Sequence, residues 1–292
     1  MHPRRIHRYN QPVIIDAHTH VFPPEVAANR DAYLSADATL AELYASPEAK
    51  LASAEDLLRS MDDAKIDASI ALGFAWTNPD ACRLHNDYLL EAAKQSNGRI
   101  IAFPTLPLAG PPDAIETEAR RCVEAGARGF GELRPDNLVF DLTGSAGNHL
   151  ARLAVELDAA LLFHVTEPAG HVYPGKQGGN LRDFSAFVAA HPEVRVIGAH
   201  WGGGIPFYTA MPEVKSAFAN LRVDTAASPL LYDDSIYGRV MELTGPESVL
   251  FGSDYPLLSQ ARSRRRIEES GLEQEAIDLI LGANAATLLG LT

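Results

Sequence analysis

The sequence predicts an α/β protein built as a single, distorted (β/α)8 TIM barrel with extra helices at its C-terminal end. Three observations predict it. Short apolar runs alternate with helix-length amphipathic segments along the chain. The first run is followed by Thr19-His20-Val21-Phe22-Pro23-Pro24, not by the Gly-rich phosphate turn of a doubly wound sheet. A length of 292 residues suits one barrel, so residues 1–292 are read as a single domain.

The runs read as strands are 13–18, 68–73, 100–104, 127–133, 160–164, 194–200, 221–225 and 249–253. Each is short and mostly apolar, as parallel strands covered on both faces must be. Helices are expected over 54–65, 85–96, 113–125, 148–158, 181–190, 233–244 and 262–269. Ser53 and Asp233 stand where N-caps belong, and Gly126 and Gly245 where glycine ends a helix. Two connections exceed the usual few residues, 19–53 after the first strand and 165–180 after the fifth. Both leave from strand C-termini, the catalytic side of a barrel. The first is read as a lid and the second as a substrate loop, each with a decorative or oligomer-forming insertion as the alternative. The tail over 273–291 reads as one or two helices closing the barrel.

Composition excludes several classes. The chain is 46% hydrophobic and 22% charged, ordinary for a globular protein. A formal net charge of −13 argues against a nucleic-acid partner, since phosphate binding needs a basic footprint. The basic run Arg262 to Arg266 reads as a solvated helix face. Cys82 and Cys122 cannot form a disulfide framework or a zinc cage, and read as small buried hydrophobes. No stretch nears the roughly 18 apolar residues of a membrane span. The polar start over residues 1–7 lacks the apolar core of a signal peptide, so a cytoplasmic location is expected. The expected partner is a small-molecule substrate, with a homo-oligomer possible.

The histidines carry the chemistry. His18 and His20 end the first strand, His164 the fifth and His200 the sixth, and Asp254 follows the eighth. Residues two apart on a strand share a face, so His18 and His20 point into one pocket. Strand ends converge at a barrel mouth, which brings the other three beside them. Imidazoles with a carboxylate suit a divalent metal. Zinc is the expected ion, with manganese, iron and cobalt as alternatives. By the same alternation Asp16 shares the face of His18, where it either orients a ligand or is structural. Asp224, at the end of the seventh strand, faces either the pocket or a helix.

Three runs then carry a resemblance: Ile15-Asp16-Ala17-His18-Thr19-His20, Ile197-Gly198-Ala199-His200-Trp201-Gly202-Gly203-Gly204 and Phe251-Gly252-Ser253-Asp254-Tyr255-Pro256. In this order, over most of the chain, the sequence resembles the amidohydrolase superfamily. It is most like the amidohydrolase-2 branch that includes aminocarboxymuconate-semialdehyde decarboxylase and related decarboxylases, hydratases and lactonases. The resemblance implies that His18, His20, His164 and Asp254 hold the metal. It makes His200 an acid/base residue or a ligand to a second ion.

Gly131-Glu132-Leu133-Arg134 departs from the one-metal decarboxylases. Glu132 either bridges a second metal or contacts substrate beside a single ion; one ion is expected and two are possible. Arg134, on the face of Glu132, suits capture of a substrate carboxylate, or else pairs with a loop acid. His171, Tyr173 and Lys176 in the long loop are candidate substrate contacts. Trp201 either walls the pocket or packs. A divalent cation can lower the pKa of a coordinated water to about 7, with His200 and Asp254 moving protons. The expected activity is therefore hydrolysis of a lactone, amide or ester in a small carboxylated molecule. The alternative is non-oxidative decarboxylation or hydration of an unsaturated or aromatic acid.

Overall fold

The structure, a computed structural model, describes residues 12–177 and 179–291; the polar start at 1–7 lies outside the described residues. Among the described residues eight parallel strands alternate with helices: β1 (Ile15–His20), β2 (Ala68–Leu72), β3 (Ile100–Phe103), β4 (Gly129–Leu133), β5 (Ala160–Phe163), β6 (Val196–Gly198), β7 (Leu221–Asp224) and β8 (Val249–Leu250). The ladders run β1-β2-β3 and β4-β5-β6-β7-β8. Backbone hydrogen bonds bridge both seams. Ala17 N donates to Phe251 O at 2.7 Å between β1 and the end of β8, and Gly131 N to Pro104 O at 3.1 Å between β4 and the end of β3. The result is the expected α/β TIM barrel.

Alternation along the strands sorts the core into two layers. Ile15, Ala17, Ile70, Leu72, Leu162 and Ile197 pack inside the ring, with Ala285, Ala286 and Leu289 of the tail joining the same cluster. The opposite faces, among them Ala71, Phe130, Leu161, Phe163 and Val223, pack on the surrounding helices. The expected extra helices are Gln274–Asp278 and Asn284–Leu288, joined by a π-helical turn at Leu279–Ala283. The Ile280 carbonyl accepts from Phe251 N at 2.9 Å, so the tail is tied to the end of β8.

β6 and β8 fall furthest short of the ranges their sequence suggests, because side chains replace the ladder after β8 and the backbone turns after β6. After β8, Gly252 N donates to Thr225 Oγ1 and Ser253 N to Asp16 Oδ1, both at 3.0 Å. After β6 the backbone turns left-handed at His200. The helix expected from 85 begins at Pro79, where Asn78 caps it by accepting from Asp80 N and Ala81 N. Asp233 lies one residue ahead of the N-cap of helix Ser235–Thr244 and still accepts from Ser235 N.

The 19–53 connection folds into three short helices, Pro24–Ala28, Arg30–Ala36 and Ala38–Tyr44. Phe22, Phe74 and Trp76 form an aromatic seat beneath it, with the Tyr44 ring 5.0 Å from Phe22. Asp37 locks it down: one carboxylate oxygen caps the third helix at Leu40 N, and the other accepts from Thr77 N and Oγ1. Cys82 and Cys122 are buried free thiols, and burial pushes Cys82 up to about 12. Among the described residues no helix is long and apolar enough to cross a membrane.

Ser53 is the N-cap expected from sequence. It accepts from Asp56 N at 3.1 Å while Asp56 accepts from Ser53 N at 2.9 Å, a reciprocal capping box. Ser53→Ala is expected to cost about 1 kcal/mol of stability, read as a lower urea midpoint with an unchanged slope.

Candidate metal centre

Two β-bulges build the mouth of the barrel. The pairing register slips between Asp16 and Thr19 in β1, and again between Phe130 and Leu133 in β4. An inserted residue reverses the alternation beyond it, and bulges commonly re-aim side chains beside active sites. In β1 the slip separates His18 and His20 from Asp16. In β4 it separates Glu132 from Phe130, which packs outward. The expectation that Asp16 shares the face of His18 is thereby corrected. Asp16 is fully buried against Ser253 and Gln260, the latter in helix Gln260–Glu268. It accepts from Ser253 N and Oγ, Gln260 Nε2 and His18 N, tying the end of β1 to the segment that carries Asp254. Burial pushes its carboxyl up to about 6 against those hydrogen bonds.

The candidate ligands converge at that mouth. One group is His18, His20 and Asp254, and a second is His18, Glu132 and His200; within each, the ligand atoms lie within 4.8 Å of one another. His18 Nε2 and His20 Nε2 are 3.2 Å apart, and each lies 3.7 Å from Asp254 Oδ1. Glu132 stands between the two histidine pairs. Its Oε2 faces His20 and His18 at 3.5 and 3.9 Å, and its Oε1 faces His164 Nδ1 and His200 Nε2 at 2.7 and 3.2 Å. His164 lies outside both groups and reaches them through Glu132 and His200.

Hydrogen bonds behind the rings decide which nitrogens face inward. His18 Nδ1 lies 2.8 Å from Asp224 Oδ2, an oxygen that only accepts, so Nδ1 carries a proton and Nε2 is the nitrogen turned toward the other donors. His164 sits between two acceptors, Gly175 O at 2.9 Å from Nε2 and Glu132 Oε1 at 2.7 Å from Nδ1; with the proton on Nε2, Nδ1 is the nitrogen offered to a cation. His20 Nδ1 is buried with no hydrogen-bond partner among the described residues. Imidazole nitrogens and carboxylate oxygens therefore converge from several sides on one small region. A divalent cation is the group this donor set fits.

The acids dominate the local electrostatics. Burial opposes charge on His18, yet the carboxylates of Asp224, Glu132 and Asp254 raise it to about 10. Burial together with the neighbouring His18 pushes His20 down to about 4. Glu132 is held well below the usual carboxylate range; burial pushes the other way, but His164, His200 and His18 outweigh it.

The Gly-rich run after His200 has a structural reason. His200, Trp201, Gly202, Gly203 and Gly204 all have positive φ, from 57° to 84°. Left-handed backbone costs about 1–2 kcal/mol per residue with a Cβ. A Cβ on Gly203 would meet Thr166 O at 2.7 Å, so glycine serves both the conformation and the close approach. Asp254 is left-handed too, at φ 63°. Asp224, left open by the sequence, proves central. It is fully buried, orients His18, and accepts from His200 N and Ala226 N at its other oxygen.

Above the donors lies a cavity of about 630 Å3, lined among others by Tyr44, Phe74, Arg134, His171, Tyr173 and Leu230. His20, Glu132, His164, His200 and Asp254 form its floor. Arg134 is 2% exposed; Nη2 donates to Gly175 O at 3.0 Å, while Nε and Nη1 have no partner among the described residues. The loop acid it faces is Glu42, 3.7 Å away. Lys176 does not line the cavity; its ammonium staples the loop through Ala169 O, His171 O and Glu167. Trp201 also packs away from it, fully buried, donating to Ser228 Oγ at 2.7 Å. Sequence reasoning missed Tyr44 and Glu42, whose only signal was their place in a long segment at the barrel mouth.

Asp224→Ala frees the His18 ring, so metal affinity is expected to fall by about 10- to 100-fold, measured by titrating metal-free protein with a divalent cation and with circular dichroism as the fold control.

A family model described as Amidohydrolase (Amidohydro_2) matches residues 15–291. No curated protein matches the sequence. Among solved structures, the chain is similar to 5-carboxyvanillate decarboxylase LigW from Sphingomonas paucimobilis, with 15% identity, a TM-score of 0.76, and 97% of this chain and 100% of that one covered. It is similar to 2,6-dihydroxybenzoate decarboxylase from Rhizobium, with 18% identity, a TM-score of 0.74, and coverage of 96% and 99%. It is similar also to a 5-carboxyvanillate decarboxylase from Novosphingobium aromaticivorans, complexed with manganese and a nitrobenzoic acid, with 18% identity, a TM-score of 0.70, and coverage of 95% and 96%. At such identities these likenesses speak for the fold alone. The family model spans the chain from β1 to the C-terminal helices, and the chain belongs to the amidohydrolase family.

Proposed function

We propose that this chain is a metal-dependent carboxy-lyase that removes CO2 from a small aromatic or unsaturated carboxylic acid. The observation that carries the reading is Arg134, a buried guanidinium with unpartnered donors on the wall of a cavity floored by metal donors. Leaving such donors unpaired costs stability, and a planar fork matches a carboxylate. Tyr44, Phe74 and Tyr173 supply flat apolar walls suited to a ring. The names of the structural relatives, decarboxylases of aromatic acids, support the same substrate class. The manganese in the Novosphingobium enzyme supports manganese beside the expected zinc.

His18, His20, Glu132 and Asp254 would hold a divalent cation, which would supply positive charge to the substrate's oxygens. Arg134 binds and orients the acid, and the apolar walls exclude water. When the carbon–carboxylate bond breaks, its electron pair stays on the carbon and CO2 leaves neutral. That carbon then takes one proton, which Asp254 and His200 on the cavity floor hold and deliver.

Hydrolysis of a lactone, amide or ester is the second reading, favoured by Glu132. A carboxylate with one oxygen toward each histidine pair suits two cations, an arrangement used to polarise both partners of a hydrolytic step.

The test is a panel of hydroxybenzoates and unsaturated acids, with lactones and amides alongside. The protein is assayed after stripping the metal and again after reloading with manganese or zinc. Release of CO2 that is lost on chelation and restored by metal is expected. Lactone or amide hydrolysis without CO2 from any acid overturns the lyase reading, and undiminished turnover in chelator overturns both. Arg134→Met is expected to lower kcat/KM by about 10- to 100-fold through KM, the loss of charged hydrogen bonds to a bound carboxylate.

A further inference from the structure

The carbonyl of Gly175, in the loop after β5, accepts from two groups at once: His164 Nε2 at 2.9 Å and Arg134 Nη2 at 3.0 Å. It therefore favours the His164 tautomer protonated on Nε2, against the pull of Glu132 Oε1 at 2.7 Å from Nδ1, and fixes one end of the Arg134 fork. Gly175 stands at φ +91° in a long connection, so its peptide needs something to hold it. The hold comes from elsewhere in the chain. Glu42, in helix Ala38–Tyr44 of the 19–53 segment, accepts from Gly175 N at 3.0 Å through Oε1. Its other oxygen lies 3.7 Å from Arg134 Nη2 and accepts from Asn137 Nδ2 at 3.3 Å.

We propose that Glu42 is a positioning residue that, by anchoring Gly175, holds the His164 ring with Nδ1 toward the metal donors and the Arg134 guanidinium against the cavity. The proposal rests on the metal-centre reading above. An anchored peptide presents one carbonyl to both groups, so metal binding and carboxylate capture share a single support. Released from Glu42, the peptide can rotate, and His164 loses the acceptor that keeps its proton on Nε2. The 19–53 segment thereby contributes to the site as well as covering it.

The probe is Mn2+ alone, titrated into metal-free full-length protein. Long-range proton–nitrogen correlations report the His164 tautomer in the metal-free protein, before the paramagnetic Mn2+ is added. Glu42→Ala is expected to weaken Mn2+ binding by about tenfold, the low end of losses behind a metal ligand, and to give His164 mixed tautomers. Glu42→Gln keeps a carbonyl oxygen for Gly175 N and is expected to retain wild-type affinity and the single tautomer. A folded Glu42→Ala protein that matches wild type in both readouts overturns the proposal, as does a Glu42→Gln protein as impaired as Glu42→Ala. Should the alanine variant not fold, Glu42→Asp, one methylene short of Gly175, takes its place with the same expectations. Wild-type protein that takes up no Mn2+ removes the metal reading itself, and the proposal with it.

Discussion

A buried knot of facing imidazoles and carboxylates is the constraint the rest of this structure answers to. Imidazole nitrogens and carboxylate oxygens approach one another to within 2.7–3.9 Å at the barrel mouth, almost out of contact with water. Such groups repel or compete for protons in a low dielectric, and they stay together only if each is held from behind. Asp224 holds His18 and the backbone at His200. Asp16 ties β1 to Ser253, the residue before Asp254. Gly175 holds His164. These supports come from different strands and loops, so the site exists only when the ring of strands is complete.

The same demand accounts for the irregular backbone. A regular strand carries side chains to alternate faces, and regular β1 and β4 could not bring His18 and Glu132 together over a packed interior. Each strand inserts a residue just before its functional side chain. The left-handed run from His200 to Gly204 turns the chain sharply at the strand end, and Asp254 adopts the same region. Backbone strain therefore collects at the donors, where the surrounding contacts can over-determine it. Regular strands and helices elsewhere carry the stability.

Much of the plan was legible in the sequence. Strand positions could be read because a parallel strand covered on both faces must be an apolar run, whatever its neighbours are. His18, His20, Glu132, His164, His200 and Asp254 were legible as a set because strand ends in a barrel must converge. The capping box at Ser53 was legible because it is local chemistry. The face of Asp16 was misread because alternation presumes no bulge, and nothing in Ile15-Asp16-Ala17-His18 announces the extra residue.

By itself, then, the sequence determined the barrel and which imidazoles and carboxylates meet at its mouth. These follow from periodicity and from donor chemistry, both written along the chain. Only the tertiary structure decided that Asp224 supports His18, that Glu132 stands between two histidine pairs, and that Trp201 and Lys176 turn away from the cavity. It alone brought Glu42 to Gly175, across 133 positions of chain. Such contacts depend on which segments meet when the ring closes, and no local pattern encodes a meeting between distant loops.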